Sequence, residues 1–211
     1  MEIHNDGIQV RVTDASHEKY VDAILRQLTE TARDRNVGIA CRTPEYIATK
    51  IKERKAVIAL YNDEFAGFCY IECWENKHYV ANSGLIVVPK FRGRHVATRI
   101  NRLAFHLCRL RWPEAKLYSL TSSRAVLHIN ASLGYVPVPF SEFPQDTVFW
   151  KSCGTLEEPC CPNCDVLLQS HHRYCVCTGM MYDPARHPHE PLLTELPQEL
   201  IEFVQKAEEN K

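Results

Sequence analysis

The sequence predicts an α/β (α+β) fold, a sheet flanked by helices, followed by a small metal-stabilised module. Three observations carry that prediction. A strand, a turn and a long amphipathic helix follow one another over residues 85–110. Strand and helix patterns alternate along the first 151 residues. Six of the ten cysteines crowd between Cys153 and Cys177, while Cys41, Cys69, Cys73 and Cys108 are scattered through an ordinary core pattern.

Composition narrows the class. With 211 residues, 45% of them hydrophobic and 24% charged, the chain can bury one core of ordinary size and still carry an appendage. A formal net charge of −1 gives no long-range pull toward polyanions, which argues against nucleic acid and anionic membrane as partners. No apolar run approaches the roughly 20 residues needed to cross a bilayer. The stretch Met1-Glu2-Ile3-His4-Asn5-Asp6 lacks the charged and apolar regions of a signal peptide, so a cytosolic protein is expected.

Residues 8–13 alternate apolar and polar, as a half-buried strand does. A helix follows, its apolar face made by Tyr20, Val21, Ile24, Leu25 and Leu28. Ile39 and Cys41 sit in an apolar connection, read as packing between helices. Thr43-Pro44 then caps and starts a second helix bearing Tyr46, Ile47 and Ile51. Residues 56–61 and 65–74 read as a hairpin about the turn Asn62-Asp63-Glu64. On its second strand Phe68, Tyr70, Glu72 and Trp74 share one face, opposite Cys69, Ile71 and Cys73. Residues 79–88 form the next strand, with Asn82-Ser83-Gly84 marking a β-bulge.

The run Leu85-Ile86-Val87-Val88 ends at Pro89, and Val96, Ile100, Leu103, Leu107 and Leu110 then repeat at helical spacing. Between them Arg92-Gly93-Arg94-His95-Val96-Ala97-Thr98 brings free backbone N–H groups and two arginines to a helix N-terminus, a place for a polyanion such as a diphosphate. Trp112-Pro113 stops the helix, 117–121 extends again, Ser122 or Ser123 caps a short helix ending at Gly134, and residues 135–140 and 147–150 supply two last strands.

Val87, Pro89, Arg92, Gly93 and Ala97 match the coenzyme-binding motif of the GNAT superfamily of N-acetyltransferases, and the order of elements over residues 8–151 resembles that fold. The resemblance implies a mixed, mostly antiparallel sheet. It implies that the turn holds the diphosphate of acetyl-CoA or another acyl-CoA, that the strand splays from its neighbour to take the pantetheine arm, and that an amide at Val87 or Val88 donates to the thioester carbonyl. His95 stands where the family has glycine, and Asn130 stands where it often has a tyrosine that protonates the leaving thiolate.

Acyl transfer to an amine needs a base for the amine proton. The fourth strand offers no acid at the place where the family often carries a glutamate, so Glu72 on the adjacent strand is the candidate, its pKa raised by apolar surroundings. Against it stands the reading of a surface carboxylate at a strand end. Asn130 can hydrogen-bond the coenzyme but cannot act as an acid. His95 and His128 are read as packed or solvated.

Cys161-Pro162-Asn163-Cys164 and Cys175-Val176-Cys177 place four thiolates at spacings suited to one tetrahedral, structural Zn²⁺, with Cys160, Cys153 or a histidine as an alternative for one ligand. The expected organisation is an acyltransferase domain over 1–152, a zinc module over 153–183, and a proline-rich connector with a terminal helix over 184–211. The expected activity moves an acetyl or related acyl group from acyl-CoA to a primary amine of a small molecule such as an amino acid, glutamate among them. The alternative is a catalytically impaired GNAT-like binding module whose knuckle engages protein or nucleic acid. A homodimer is left open.

Overall fold

In the computed structural model, residues 6–35, 39, 42–74, 77–144, 147–150, 164–187 and 198–209 are described. Strand β1 (Ile8–Val12) leads to helices α1 (Val21–Arg35) and α2 (Pro44–Lys52), then to the meander β2 (Ala56–Tyr61), β3 (Glu64–Trp74) and β4 (Tyr79–Val87). Helix α3 (Val96–Arg111), β5 (Lys116–Thr121), α4 (Arg124–Ser132) and the two-residue β6 (Val136–Pro137) follow. The chain closes with α5 (Thr147–Trp150), α6 (Cys164–Gln169), β7 (Thr178–Tyr182) and α7 (Gln198–Glu209).

The sheet runs β1-β2-β3-β4-β5-β7-β6. Its β4–β5 pair is parallel and the other neighbours are antiparallel, and α3 makes the crossover that the parallel pair requires. One face is covered by α1 and α2, whose Ile24, Leu28, Ile47 and Ile51 meet Ile58, Phe68, Tyr70 and Ile86. The other is covered by α3, whose Val96, Ile100 and Ala104 meet Val57, Ala59, Ala66 and Cys69. Each strand alternates its side chains between these layers.

The bulge expected on the fourth strand is present: Phe68 pairs Ile86 and Tyr70 pairs Ser83, so β4 carries one extra residue. Gly84 takes a φ of +62° there, and a Cβ on it would stand 2.4 Å from the Tyr70 ring. The tight approach and the left-handed backbone both require glycine.

Two expectations are corrected. Residues 147–150 form the helical turn α5. Phe149 and Trp150 are adjacent and both sink into one aromatic cluster with Phe143, Tyr118 and Met181, which a strand, sending neighbours to opposite faces, cannot arrange. The strand beside β5 is instead β7, drawn from residues expected in the metal module. Its Met180 and Tyr182 pack under α3 while Met181 faces the aromatic cluster, so the run is apolar on both faces and pairs inside the sheet. Residues 135–140 shorten to β6 and a 3-10 turn after Pro139, since proline cannot donate to the ladder. Leu200 and Val204 of α7 are buried, with Leu200 in the α3 core.

Candidate active site

A single 3-10 turn, Pro89–Phe91, anchored by buried Phe91, carries β4 toward α3. Gly93 at φ +77° and His95 at φ +56° then reverse the chain into the helix. His95 is the N-cap residue and makes no side-chain cap, so the first amides of α3, on Val96, Ala97 and Thr98, have no partner from their own helix or its cap residue. A Cβ on Gly93 would meet nothing within 4 Å. The turn thus presents uncapped N–H groups, the positive end of a 16-residue helix and open space.

The two arginines also hold the turn. Arg92 donates through Nε to the Val87 carbonyl at 3.1 Å. Arg94 donates to the Asp6 carbonyl at 2.7 Å and lies over Tyr61, so its guanidinium clamps the start of β1. Of the two candidate strand amides, Val88 donates to Ala66 on β3 at 2.9 Å. Successive N–H groups point to opposite strand edges, so Val87, and not Val88, directs its amide away from β3.

That edge is open. Pairing between β4 and β5 comprises Tyr79 with Lys116, Val80 with Leu117 and Ala81 with Tyr118, and stops there. Both strands run on, leaving a fork whose wide end meets the turn. A side-chain ladder bridges the fork on the α3 face. Asn82 donates to Asn101 at 3.1 Å, Asn101 to Asn130 at 2.8 Å, and Asn130 to Ser119 at 2.8 Å. Asn130 is 2% exposed, so its amide belongs to this ladder.

On the opposite face, Glu72 stands across from Ala81, the last residue of β4 paired to β5. It is not solvated. Lys50 Nζ lies 2.8 Å from its carboxylate, an Arg42 nitrogen 3.8 Å away, and the Glu72 and Lys50 side chains are each 13% exposed. Arg42 also donates to the Tyr70 hydroxyl at 3.0 Å and lies over the Tyr46 ring. Burial pushes Glu72 up to about 7 against the pull of Arg42. Burial, reinforced by repulsion from Lys55, brings Lys50 down to about 8. A carboxylate with that affinity for a proton is suited to general-base work near neutrality.

Sequence reasoning missed Lys50, Arg42, Asn82, Asn101 and Ser119. Lys50 carried a signal: it falls between Ile47 and Ile51 on the buried side of α2. Asn101 likewise interrupts the buried face of α3.

Of the expected zinc ligands, Cys161 and the side chain of Cys164 lie outside the described residues. The Cys177 amide donates to the Cys175 sulfur at 3.4 Å. The Cys175 thiol is brought down to about 6, chiefly by a hydrogen bond from the Cys177 side chain. His172 stacks on Trp150 with centroids 4.6 Å apart. No group of three or more His, Cys, Asp or Glu side chains converges among the described residues. Nor is any described helix long and apolar enough to cross a membrane.

No family model and no curated protein matches the sequence. Solved structures do match the fold. N-acetylglutamate synthase from Neisseria gonorrhoeae, solved with coenzyme A and N-acetyl-glutamate, superposes with a TM-score of 0.57 at 15% identity over 83% of this chain, which spans only 35% of that protein. The acetyltransferase yncA from Salmonella typhimurium, solved with acetyl-CoA, gives 0.57 at 13% identity over 90% of this chain and 99% of its own. Diaminobutyrate acetyltransferase EctA from Paenibacillus lautus, solved with its diamino acid substrate and coenzyme A, gives 0.50 at 11% identity over 84% and 95%. The chain therefore has the fold of the GNAT acetyltransferases.

Proposed function

We propose that the chain is an acyl-CoA-dependent N-acyltransferase that acylates the primary amine of a small molecule, an amino acid such as glutamate being the preferred class. The observation that carries this reading is the fork. Its wide end meets the uncapped amides of α3, and the Glu72–Lys50 pair stands across the sheet from its closed end. In this reading the coenzyme diphosphate rests on the amides of Val96, Ala97 and Thr98, beside Gly93 and His95, and the pantetheine arm enters between β4 and β5. The Val87 amide donates to the thioester oxygen as negative charge develops there.

The amine nitrogen attacks the thioester carbon, its proton passes to Glu72 through a chain of waters, and the carbon–sulfur bond breaks to release the thiolate. The amino-acid ligands of the Neisseria and Paenibacillus structures support the amino-acid class. A structural Zn²⁺ on Cys161, Cys164, Cys175 and Cys177 belongs to the proposal. Elemental analysis of purified protein reading well below one zinc per chain would remove it.

Thiol release from acetyl-CoA over a panel of glutamate, 2,4-diaminobutyrate and simple polyamines tests the activity. Turnover with an amino acid is expected. Coenzyme binding with no thiol release on any amine would replace the enzyme by a binding module.

A further inference from the structure

Beyond Ala81 and Tyr118 the parallel register of β4 and β5 would next join Asn82 to Ser119, then Ser83 to Leu120 and Gly84 to Thr121. All of these residues lie inside the two strands, and β5 already pairs β7 at Ser119, Leu120 and Thr121. The β4–β5 ladder nevertheless stops at Ala81. Val80 and Leu117 face α3 while Ala81 and Tyr118 face the aromatic cluster, so Asn82 and Ser119 face α3 again. On strands a ladder's width apart, about 4.8 Å, these two side chains would touch each other. Two amides from helices stand between them in series instead: Asn82 donates to Asn101 of α3, Asn101 to Asn130 of α4, and Asn130 to Ser119. The Cys108 thiol donates to Asn82 at 3.3 Å and completes the row. Asn101 is 3% exposed and Asn130 2%, in a layer otherwise made of Ile71, Val80, Phe105, Leu107 and Leu117. Amides in such company cost desolvation that apolar side chains avoid, and the cost is offset only while every link is made. No buried side-chain nitrogen or oxygen among the described residues lacks a partner. Closing the strands would break a link and leave a buried amide unpaired.

We infer that Asn101 and Asn130 are positioning residues, a polar wedge that stops β4 and β5 zipping past Ala81 and keeps the fork open for the coenzyme's arm. The inference rests on the coenzyme reading above. In that reading the facing edges of β4 and β5 have two alternatives: they meet each other, or they admit the arm. Coenzyme binds only the open fork, so any fraction of molecules that zips lowers its apparent affinity in proportion. The wedge holds that fraction small without touching the coenzyme.

The test removes both amides, as Asn101→Ala with Asn130→Ala, and reads two quantities. Amide hydrogen exchange, followed by mass spectrometry without coenzyme, is expected to slow about tenfold in residues 82–84 and 119–121 as the strands pair. The Kd of coenzyme A by calorimetry is expected to rise about 10- to 100-fold, the effect of a few ladder hydrogen bonds that must break before binding. A role confined to packing predicts the opposite sign for exchange, since a lost network loosens its surroundings. Ser119→Ala cuts only the last link, at the half-buried end of the row, and is expected to move both readouts the same way by a smaller factor. It decides alone should the double variant fail to fold. Exchange that is equal or faster in a folded variant, or a coenzyme Kd that is unchanged, overturns the inference and leaves the acyltransferase reading standing. Failure of the wild type to bind coenzyme A overturns both.

Discussion

Glu72 owes its candidacy to where β3 puts it, one step beyond Tyr70 on the face that α2 covers, against a lysine and an arginine that α2 and its approach supply. Replacing it by glutamine keeps the shape and removes the base. Glu72→Gln is expected to lower kcat about 100- to 10,000-fold and to abolish the rise of kcat/KM with pH through about 7 that the wild-type carboxyl imposes. A pH–rate profile of both proteins checks it, and an identical limb in the variant would discard Glu72 as base. The same group links pH to stability. Its folded pKa of about 7 lies above its ordinary 4.5, so the folded state holds the extra proton. Stability contributed by this group is present below about 4.5 and lost as pH rises to about 7. Urea titrations at the two ends of that window should show the decline in wild type and its reduction in Glu72→Gln. Gly84 makes a second prediction of this kind. Gly84→Ala is expected to cost about 1–3 kcal/mol, from a Cβ driven against the Tyr70 ring at a backbone angle that disfavours it, read as a lower urea midpoint.

Among the elements, the turn into α3 governs the coenzyme side of the site. His95 holds a left-handed φ of 56° without capping the helix. The strain of that conformation on a residue with a Cβ makes His95→Gly stabilising by about 0.5–1 kcal/mol. Removing the imidazole also clears the approach to the first amides, and KM for acetyl-CoA is expected to fall. Thermal melts and saturation kinetics read the two effects, and a destabilised variant would show that the imidazole packs usefully. Arginines 92 and 94, read from sequence as phosphate contacts, also brace the turn, one on the Val87 carbonyl and one on Asp6. Long cationic side chains reach many acceptors, and which they find depends on strands remote in sequence.

For the molecule as a whole, the sheet is completed by its C-terminal part. Strand β7 separates β5 from β6 and buries Met180, Met181 and Tyr182. A chain ending at residue 177 is expected to lose its cooperative unfolding transition, because β5 would expose a long apolar edge and β6 would lose its partner. Circular dichroism against urea measures this, and a sharp transition in the shortened chain would show that the first 177 residues fold alone. What the sequence determined by itself is periodicity and local chemistry. The faces of β3, the bulge at Gly84, the turn after Pro89 and the long helix were legible because each is set by neighbours a few residues away. Tertiary structure alone decided the rest: that residues 147–150 coil and 178–182 pair, that Lys50 and Arg42 close on Glu72, and that three asparagines and a serine from four elements join across the fork. Those contacts depend on which strands lie side by side, and that choice is made by the burial of apolar faces over the whole chain, a sum that no short window of residues contains.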